Sequence, residues 1–221
     1  MDDFGFLKTM ALHGETWVLY ALFACSILSG GIIIDRLWVL RRERHALEVL
    51  EAGIMKLIDF ADWNGAAKLA KSVGGGASSM LMSALRSTKD GIASMEERVA
   101  FTRGRVRKSL EKRLLILGTL GNNSPFIGLF GTVLGVIKAF YDMQGSTEGA
   151  SAAMKGLSEA LIATAVGLIV AIPAVMFFNG LSKQVDDIMT DSDGLIHVLY
   201  ARIKSSHPGG PAESAEKSEK G

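Results

Sequence analysis

Residues 114–137 read LLILGTLGNNSPFIGLFGTVLGVI, a run of 24 residues without a charged side chain. An α-helix rises about 1.5 Å per residue, so about 20 apolar residues cross the hydrocarbon core of a bilayer. Two further uncharged runs have similar lengths, 19 residues at 16–34 and 23 residues at 160–182. Buried core helices of a soluble protein are the alternative, but three such runs in 221 residues favour three transmembrane helices.

The charged residues indicate how these helices are oriented. Lys and Arg number 24 and Asp and Glu 23, giving a formal net charge of +1 that does not support a nucleic-acid partner. Of the 24 basic residues, 16 lie between the first and second runs and two between the second and third. Basic segments stay on the cytoplasmic side of a membrane. We therefore predict a multi-pass protein with a periplasmic amino terminus and a cytoplasmic carboxyl terminus.

The first run has a second interpretation, as the apolar core of a cleaved signal peptide. Against this, the run is longer than an ordinary signal core, and the segment before it has Lys8 as its one basic residue. The charged pair Asp35-Arg36 follows it directly. We expect a retained membrane anchor.

The long segment between the first two runs carries helix signals. Leu and Ile recur at helical spacing between residues 36 and 72, and Gly74-Gly75-Gly76 then interrupts the pattern. Ser94 and Glu97 have the spacing of a capping box. No stop signal follows before the second run, so the sequence allows one helix from Ser94 to Ile137, which Gly118, Gly121 or Pro125 would bend. The predicted fold is all-α, with transmembrane helices that extend into a helical cytoplasmic region.

The sequence thus predicts eight consecutive segments. They are a periplasmic amino-terminal segment (1–15), transmembrane helix 1 (16–34), a cytoplasmic helical loop (35–113), transmembrane helix 2 (114–137), a short periplasmic loop (138–159), transmembrane helix 3 (160–182), a cytoplasmic helical extension (183–206) and a disordered tail (207–221). The tail is predicted from its Pro, Gly, Ser, Glu and Lys content, which cannot bury apolar area.

The residue types that carry enzyme chemistry are sparse. The single cysteine, Cys25, lies inside the first run, so no intrachain disulfide or paired-cysteine metal site can form. The four histidines all lie outside the runs, so none can serve as a base for an intramembrane nucleophile. They also make no metal-binding pair at helical spacing. We predict a protein that is not an enzyme and binds neither cofactor nor metal.

The second and third runs are rich in small residues, which allow helix backbones to approach closely in lipid. Each also contains a proline, which removes a helix donor and is expected to kink the helix. These packing and kink positions are Gly128, Gly131, Gly135, Gly167, Pro125 and Pro173.

Polar residues within or beside these runs are the candidate functional groups. Thr132 lies six residues before Lys138, and Thr164 lies five residues after Glu159, so both hydroxyls are expected about 8–9 Å below the outer boundary. They would form a polar ring in an oligomer, or each would bond to a carbonyl of its own helix. Glu159 is the acid closest to the hydrocarbon, and is either functional or simply interfacial.

Two longer stretches show a family resemblance. Residues 118–140 read GTLGNNSPFIGLFGTVLGVIKAF and residues 156–175 read GLSEALIATAVGLIVAIPAV. Both resemble the TolQ/ExbB/MotA proton-channel family. The three-span topology with its amino end outside is similar to that of TolQ or ExbB, since the flagellar members have four spans.

The resemblance implies a motor subunit of the bacterial inner membrane. In this family, five copies surround two transmembrane helices of a TolR- or ExbD-like partner, whose Asp carries the proton. A TolA- or TonB-like protein is a further implied partner. The family's pore threonines fall on Thr132 and Thr164, and its third-span glutamate falls on Glu159. The hydroxyl pair and the lack of other acids in the runs favour proton over sodium.

Several functions remain open at this point. The motor would drive envelope maintenance of the Tol-Pal type, TonB-type uptake or gliding motility, and the sequence does not choose among them. The alternative function is a non-conducting membrane scaffold of the same fold, which organises partners through its basic cytoplasmic helices.

Overall fold

The computed structural model describes residues 16–88, 91–145 and 149–206, and all regular structure within them is helical. The described helices are α1 (Thr16–Asp59), α2 (Trp63–Val73), α3 (Gly75–Arg86), α4 (Ile92–Leu110), α5 (Leu114–Gly145) and α6 (Gly149–Ser206). The segments predicted at 1–15 and 207–221 lie outside the described residues.

Three of these helices, α1, α5 and α6, are long and apolar enough to cross a membrane. Each contains one of the three uncharged runs, and each is longer than its run. Helix α1 has 44 residues and α6 has 58. The prediction of an all-α chain with three long apolar helices is therefore confirmed.

The single helix that the sequence allows from Ser94 to Ile137 does not form, because α4 ends at Leu110 and α5 begins at Leu114. Arg113, in the gap, has a φ of 69°, in the left-handed region that interrupts a helix. Its Nη1 donates to Asp35 Oδ2 at 2.8 Å. This contact reaches across 78 positions of sequence, which is why the local sequence does not reveal the break.

The predicted capping box is also wrong. Helix α4 begins at Ile92 with Gly91 as its N-cap residue, so Ser94 is the third helical residue. Gly91 has a φ of 88°, which glycine adopts at little cost and which sets the start of the helix.

The chain divides into two compact units, and the first contains residues 1–37 and 113–182. Its described part consists of residues 16–37 of α1, all of α5 and residues 149–182 of α6. We call it the membrane unit because it holds all three uncharged runs. Val18, Leu22 and Leu134 form its buried apolar cluster, with Ile127 and Val166 packed against them.

The second unit contains residues 38–112 and 183–221, and we call it the helical unit. Within it, α3 packs against α2 and α4. Gly74, with a φ of 72°, separates α2 from α3, as the triple glycine predicts. The Arg103 guanidinium on α4 binds both carboxylate oxygens of Asp193 on α6 at 2.8 and 2.9 Å. The remainder of α1 contributes buried Leu47, Leu50, Ile54 and Ile58.

Candidate functional site

Helices α5 and α6 of the membrane unit lie with their backbones in near contact. A Cβ atom placed on Gly128 would lie 2.7 Å from the carbonyl oxygen of Ala163. A Cβ on Gly167 would lie 2.8 Å from the carbonyl oxygen of Ser124. Only a residue without a side chain allows such an approach, so these glycines hold the two backbones together. We call this line of contact the glycine seam.

The seam continues in a constant antiparallel register. Gly118 faces the ring of Phe178 and Gly121 faces Val175, while towards the other end Gly156 faces Ala139. These pairs show that α5 and α6 run alongside each other between residues 118–139 of α5 and 156–178 of α6. Gly128, Gly131 and Gly167, which we predicted to pack closely, all lie where α5 contacts α6. Gly135 is buried in the same unit.

Helix α1 packs against this pair near its amino end. A Cβ on Gly131 would lie 2.8 Å from Ala163 Cβ and 3.0 Å from Val18 Cγ1. The rings of Trp17 and Phe130 meet edge to face, with centroids 6.1 Å apart. On α1, Phe23 is 64% exposed, whereas Val18 is fully covered by protein.

The register of the seam places Thr132 and Thr164 at nearly the same level. Gly131 faces Ala163, and Thr132 and Thr164 each follow one of these residues on antiparallel helices, so their heights differ by about two residues, or about 3 Å. The two threonines that the sequence singles out are therefore brought to nearly the same level on neighbouring helices. The similar depth worked out from helix rise agrees with this register.

The two hydroxyls have different surroundings. Thr132 Oγ1 donates to the carbonyl oxygen of Leu129 at 2.7 Å, so this hydroxyl bonds to its own helix. Thr164 Oγ1 is buried and has no hydrogen-bond partner within the described chain. A buried hydroxyl without a partner costs about 1–3 kcal/mol. The local bond to a helix carbonyl thus accounts for Thr132 but not for Thr164.

Glu159 lies apart from the two threonines. Its side chain is 48% exposed, and Oε1 is 4.0 Å from the Lys155 ammonium one turn earlier on α6. Five helical residues correspond to a rotation of about 140°, so Glu159 and Thr164 are on different faces of α6. Glu159 therefore belongs to the exposed surface of this subunit, near the end of the seam.

Both prolines lie inside continuous helices, Pro125 in α5 and Pro173 in α6. Ser124, which the sequence did not single out, is buried, and its Oγ donates to the carbonyl oxygen of Leu120 at 2.6 Å. Its own carbonyl faces Gly167 across the seam. A serine directly before a proline in an apolar run is the signal that would have found it.

A charged cluster at the end of the first run was also missed. Asp35 accepts hydrogen bonds from Arg36 and from Arg113, both at 2.8 Å. Arg36 is only 5% exposed, which is low for an arginine and is offset by this ion pair. Hydrogen bonding from Arg36, and then from Arg113, lowers the pKa of Asp35 against the opposing effect of desolvation. The cluster ties α1 to the start of α5 within the membrane unit.

No group of three or more His, Cys, Asp or Glu side chains in the described parts of the chain could hold a metal ion. The site consists of close backbones, two hydroxyls and one exposed carboxylate. Such an arrangement can pack against a further helix and offer hydrogen bonds to it.

The sequence profile of the MotA/TolQ/ExbB proton channel family matches residues 75–193, which include the whole seam. The chain belongs to this family. The resemblance carried by residues 118–140 and 156–175 is therefore confirmed. Thr132, Glu159 and Thr164 all lie inside the matched region, whereas the first uncharged run, at 16–34, lies outside it.

Individual members of the MotA/TolQ/ExbB family align with parts of the chain. It is 47% identical over 90 residues to the Tol-Pal system protein TolQ of Haemophilus influenzae, covering 40% of each chain. It is 37% identical over 107 residues to the biopolymer transport protein ExbB of Aquifex aeolicus, covering 48% of this chain and 70% of that protein. A putative biopolymer transport protein, ExbB-like 2 of Helicobacter pylori, is 41% identical over 97 residues, covering 43% and 64%. The chain thus spans less than half of the Haemophilus protein and about two thirds of the other two.

Proposed function

We propose that this protein is the channel-forming subunit of a proton-driven motor in the bacterial inner membrane, with its amino terminus in the periplasm and its carboxyl terminus in the cytoplasm. Several copies, five by family resemblance, surround the transmembrane helices of a TolR- or ExbD-like partner. The motor energises a process of the cell envelope, through a TolA- or TonB-like protein in the Tol-Pal and uptake variants. Membership of the MotA/TolQ/ExbB family and the three apolar helices support this proposal.

The observation that carries the proposal is the buried hydroxyl of Thr164, which lacks a hydrogen-bond partner among the described residues. The described residues offer this hydroxyl no hydrogen bond, so we propose that a group on a neighbouring chain offsets its burial. A partner helix with a carboxyl group would supply it. Thr132 lies nearly level with Thr164, and its hydroxyl oxygen keeps acceptor capacity after donating to Leu129.

The three predicted transmembrane segments contain no Asp or Glu. The carboxylate that carries the proton through the membrane must therefore come from the partner. A carboxylate in the hydrocarbon is expensive when charged and much less so when protonated. Protonation of the partner's Asp from the periplasm would let it pass the apolar and hydroxyl-lined face of the ring. Release of the proton to the cytoplasm would restore the charge and bias the partner's rotation in one direction.

Glu159 is proposed to act at the periplasmic entrance. Its exposed carboxylate, close to Lys155, lies about one and a half turns before Thr164 on α6. A charge at this position would raise the local concentration of protons for the partner's Asp. It would not itself enter the hydrocarbon.

The double variant Thr132→Val with Thr164→Val tests the pore assignment in cells. Valine keeps the shape of threonine and removes the hydroxyl, so we expect the complex to assemble and the energised phenotype to be lost. The phenotype is outer-membrane integrity or uptake of a large ligand, whichever the deletion strain lacks. A double variant that restores the deletion strain as well as the wild type does would contradict the pore assignment and favour the scaffold.

Glu159→Ala tests the entrance. We expect it to slow proton flux in reconstituted vesicles more than it reduces the yield of assembled complex. Lys155→Ala removes the neighbouring cation and leaves the Glu159 carboxylate in place, so we expect that variant not to slow the flux. Flux from Glu159→Ala equal to that of the wild type would rule out a role for Glu159 in the proton pathway.

A further inference from the structure

A second candidate site lies in the helical unit, far along the sequence from the threonines. It is a cavity of about 490 Å³, which is within the usual range for small-molecule sites. Helices α2, α3 and α4 line it, so it lies wholly within one compact unit. Its described lining contains three basic residues, Lys71, Arg86 and Arg98, and no acidic residue.

The amino terminus of α3 contributes to the same cavity through Gly74 and Gly75. The first turn of a helix presents N–H groups and the positive end of the helix dipole, which together favour an anion. One of these donors is already occupied, because the Gly76 amide donates to Glu43 Oε2 at 2.7 Å. The helix end alone therefore does not define a site, and the side chains must do so.

Hydroxyl groups line the remainder of the cavity, and most of them donate hydrogen bonds to nearby backbone carbonyls. Ser79 Oγ donates to the Gly75 carbonyl at 2.9 Å, and Thr102 Oγ1 donates to the Arg98 carbonyl at 2.9 Å. Ser83 Oγ lies 3.2 Å from the same Arg98 carbonyl. The hydrogen bonds of these hydroxyls are therefore satisfied by the protein without a ligand.

Ser78 differs from them. The residue is 2% exposed, it lines the cavity, and its Oγ has no hydrogen-bond partner in the described chain. An orphaned buried hydroxyl is costly, so a polar group in the cavity would stabilise it. Ser78 shares this lining with three basic residues and no acidic one, so an anion with several acceptor oxygens is the polar group that fits best.

We propose that this cavity binds a phosphate monoester, with Lys71 and Arg86 as the charge partners and Ser78 as a hydrogen-bond donor. A tetrahedral dianion has enough acceptor oxygens for a guanidinium, an ammonium and a hydroxyl at once. The volume leaves room for a small organic group attached to the phosphate. The monoester is either a soluble metabolite or the headgroup of a phosphatidic acid type of lipid.

The test uses the full-length protein in nanodiscs of phosphatidylcholine, with glycerol 3-phosphate and inorganic phosphate as probes at constant ionic strength. Binding is measured by calorimetry and by the upward shift of Tm that a ligand selective for the folded state produces. We expect both probes to bind. Lys71→Gln with Arg86→Gln should weaken binding about 10- to 100-fold, and Ser78→Ala about three- to tenfold.

The matched control is Lys108→Gln with Lys112→Gln, which removes the same charge from exposed positions that do not line the cavity. It should change the affinity by less than about twofold, because distant exposed charges are screened. If the control variant weakens phosphate binding equally, the effect is a general attraction between charges, and the proposed site is overturned. Failure of every probe to bind the wild type would overturn it as well.

A second arm identifies the source of the phosphate. Phosphatidic acid is added to the nanodiscs, and binding of glycerol 3-phosphate is measured again. Loss of soluble binding in the wild type, with no such competition when phosphatidylglycerol replaces phosphatidic acid, assigns the site to a lipid headgroup. Unchanged soluble binding assigns it to a free metabolite.

Discussion

The packing of the glycine seam gives the sharpest prediction, for the variant Gly128→Ala. The added Cβ would lie 2.7 Å from the Ala163 carbonyl oxygen and 3.0 Å from Thr164 Cα. Both are backbone atoms, so no side-chain movement relieves the overlap. The helices would have to separate by about 0.7 Å to restore an ordinary contact of 3.4 Å.

The free energy follows from two opposing effects. Overpacking of a close contact costs about 1–3 kcal/mol, and the better helix propensity of alanine returns at most about 1 kcal/mol. We expect a net loss of about 1–2 kcal/mol in the free energy of unfolding. Gly30→Ala and Gly180→Ala are matched controls, because a Cβ at either position meets no atom within 4 Å.

The assay is equilibrium unfolding in mixed micelles, followed by tryptophan fluorescence. Trp17 reports on the same unit because its ring contacts Phe130. The controls should be as stable as the wild type or slightly more stable, since they gain propensity without overlap. If Gly128→Ala is as stable as Gly30→Ala, the backbone contact at this position does not exist as described.

Two further predictions concern the helical unit. The pKa of Glu51 is raised by burial, then by Asp191 and then by Glu48, so the ionised form of Glu51 opposes folding. Glu51→Gln should therefore raise Tm at pH 7. This gain should shrink as the pH falls through the raised pKa of Glu51. An equal gain at all pH values would exclude this explanation. Burial, and then Glu96, raises the pKa of Tyr200 to about 12. The stability that this shift provides is complete below the pKa of an unfolded tyrosine, about 10, and is lost as the pH rises to about 12. Absorbance titration should show a late tyrosinate step that Tyr200→Phe removes; a step that persists in this variant belongs to another residue.

Much of the fold follows from the sequence because the bilayer imposes a length. The charge-free run at 114–137 predicts a membrane-crossing helix whatever it packs against, and the same applies to the other two. The similar level of Thr132 and Thr164 also follows from helix rise and two flanking charges. Small residues in two neighbouring runs predict a close helix pair.

What the sequence did not predict depends on backbone conformation and on contacts between distant residues. The break before α5 occurs at Arg113, whose backbone has a left-handed conformation. The side chain of Arg113 donates a hydrogen bond to Asp35. The start of α4 depends on the backbone of Gly91, and not on the capping pattern at Ser94. The Thr132 hydroxyl has a hydrogen-bond partner and the Thr164 hydroxyl has none among the described residues. This difference depends on the surrounding atoms, which helix spacing does not predict.

We propose that protons cross the membrane past Thr132 and Thr164 when the partner is present, and proton flux in reconstituted vesicles tests this claim most directly. The subunit is purified with its TolR- or ExbD-like partner and enclosed with a pH-sensitive dye, and a pH gradient is applied across the membrane. We predict flux that requires the partner's Asp and is lost when Thr132 and Thr164 are both valine, while the complex stays assembled. Undiminished flux from that assembled double variant would contradict the account.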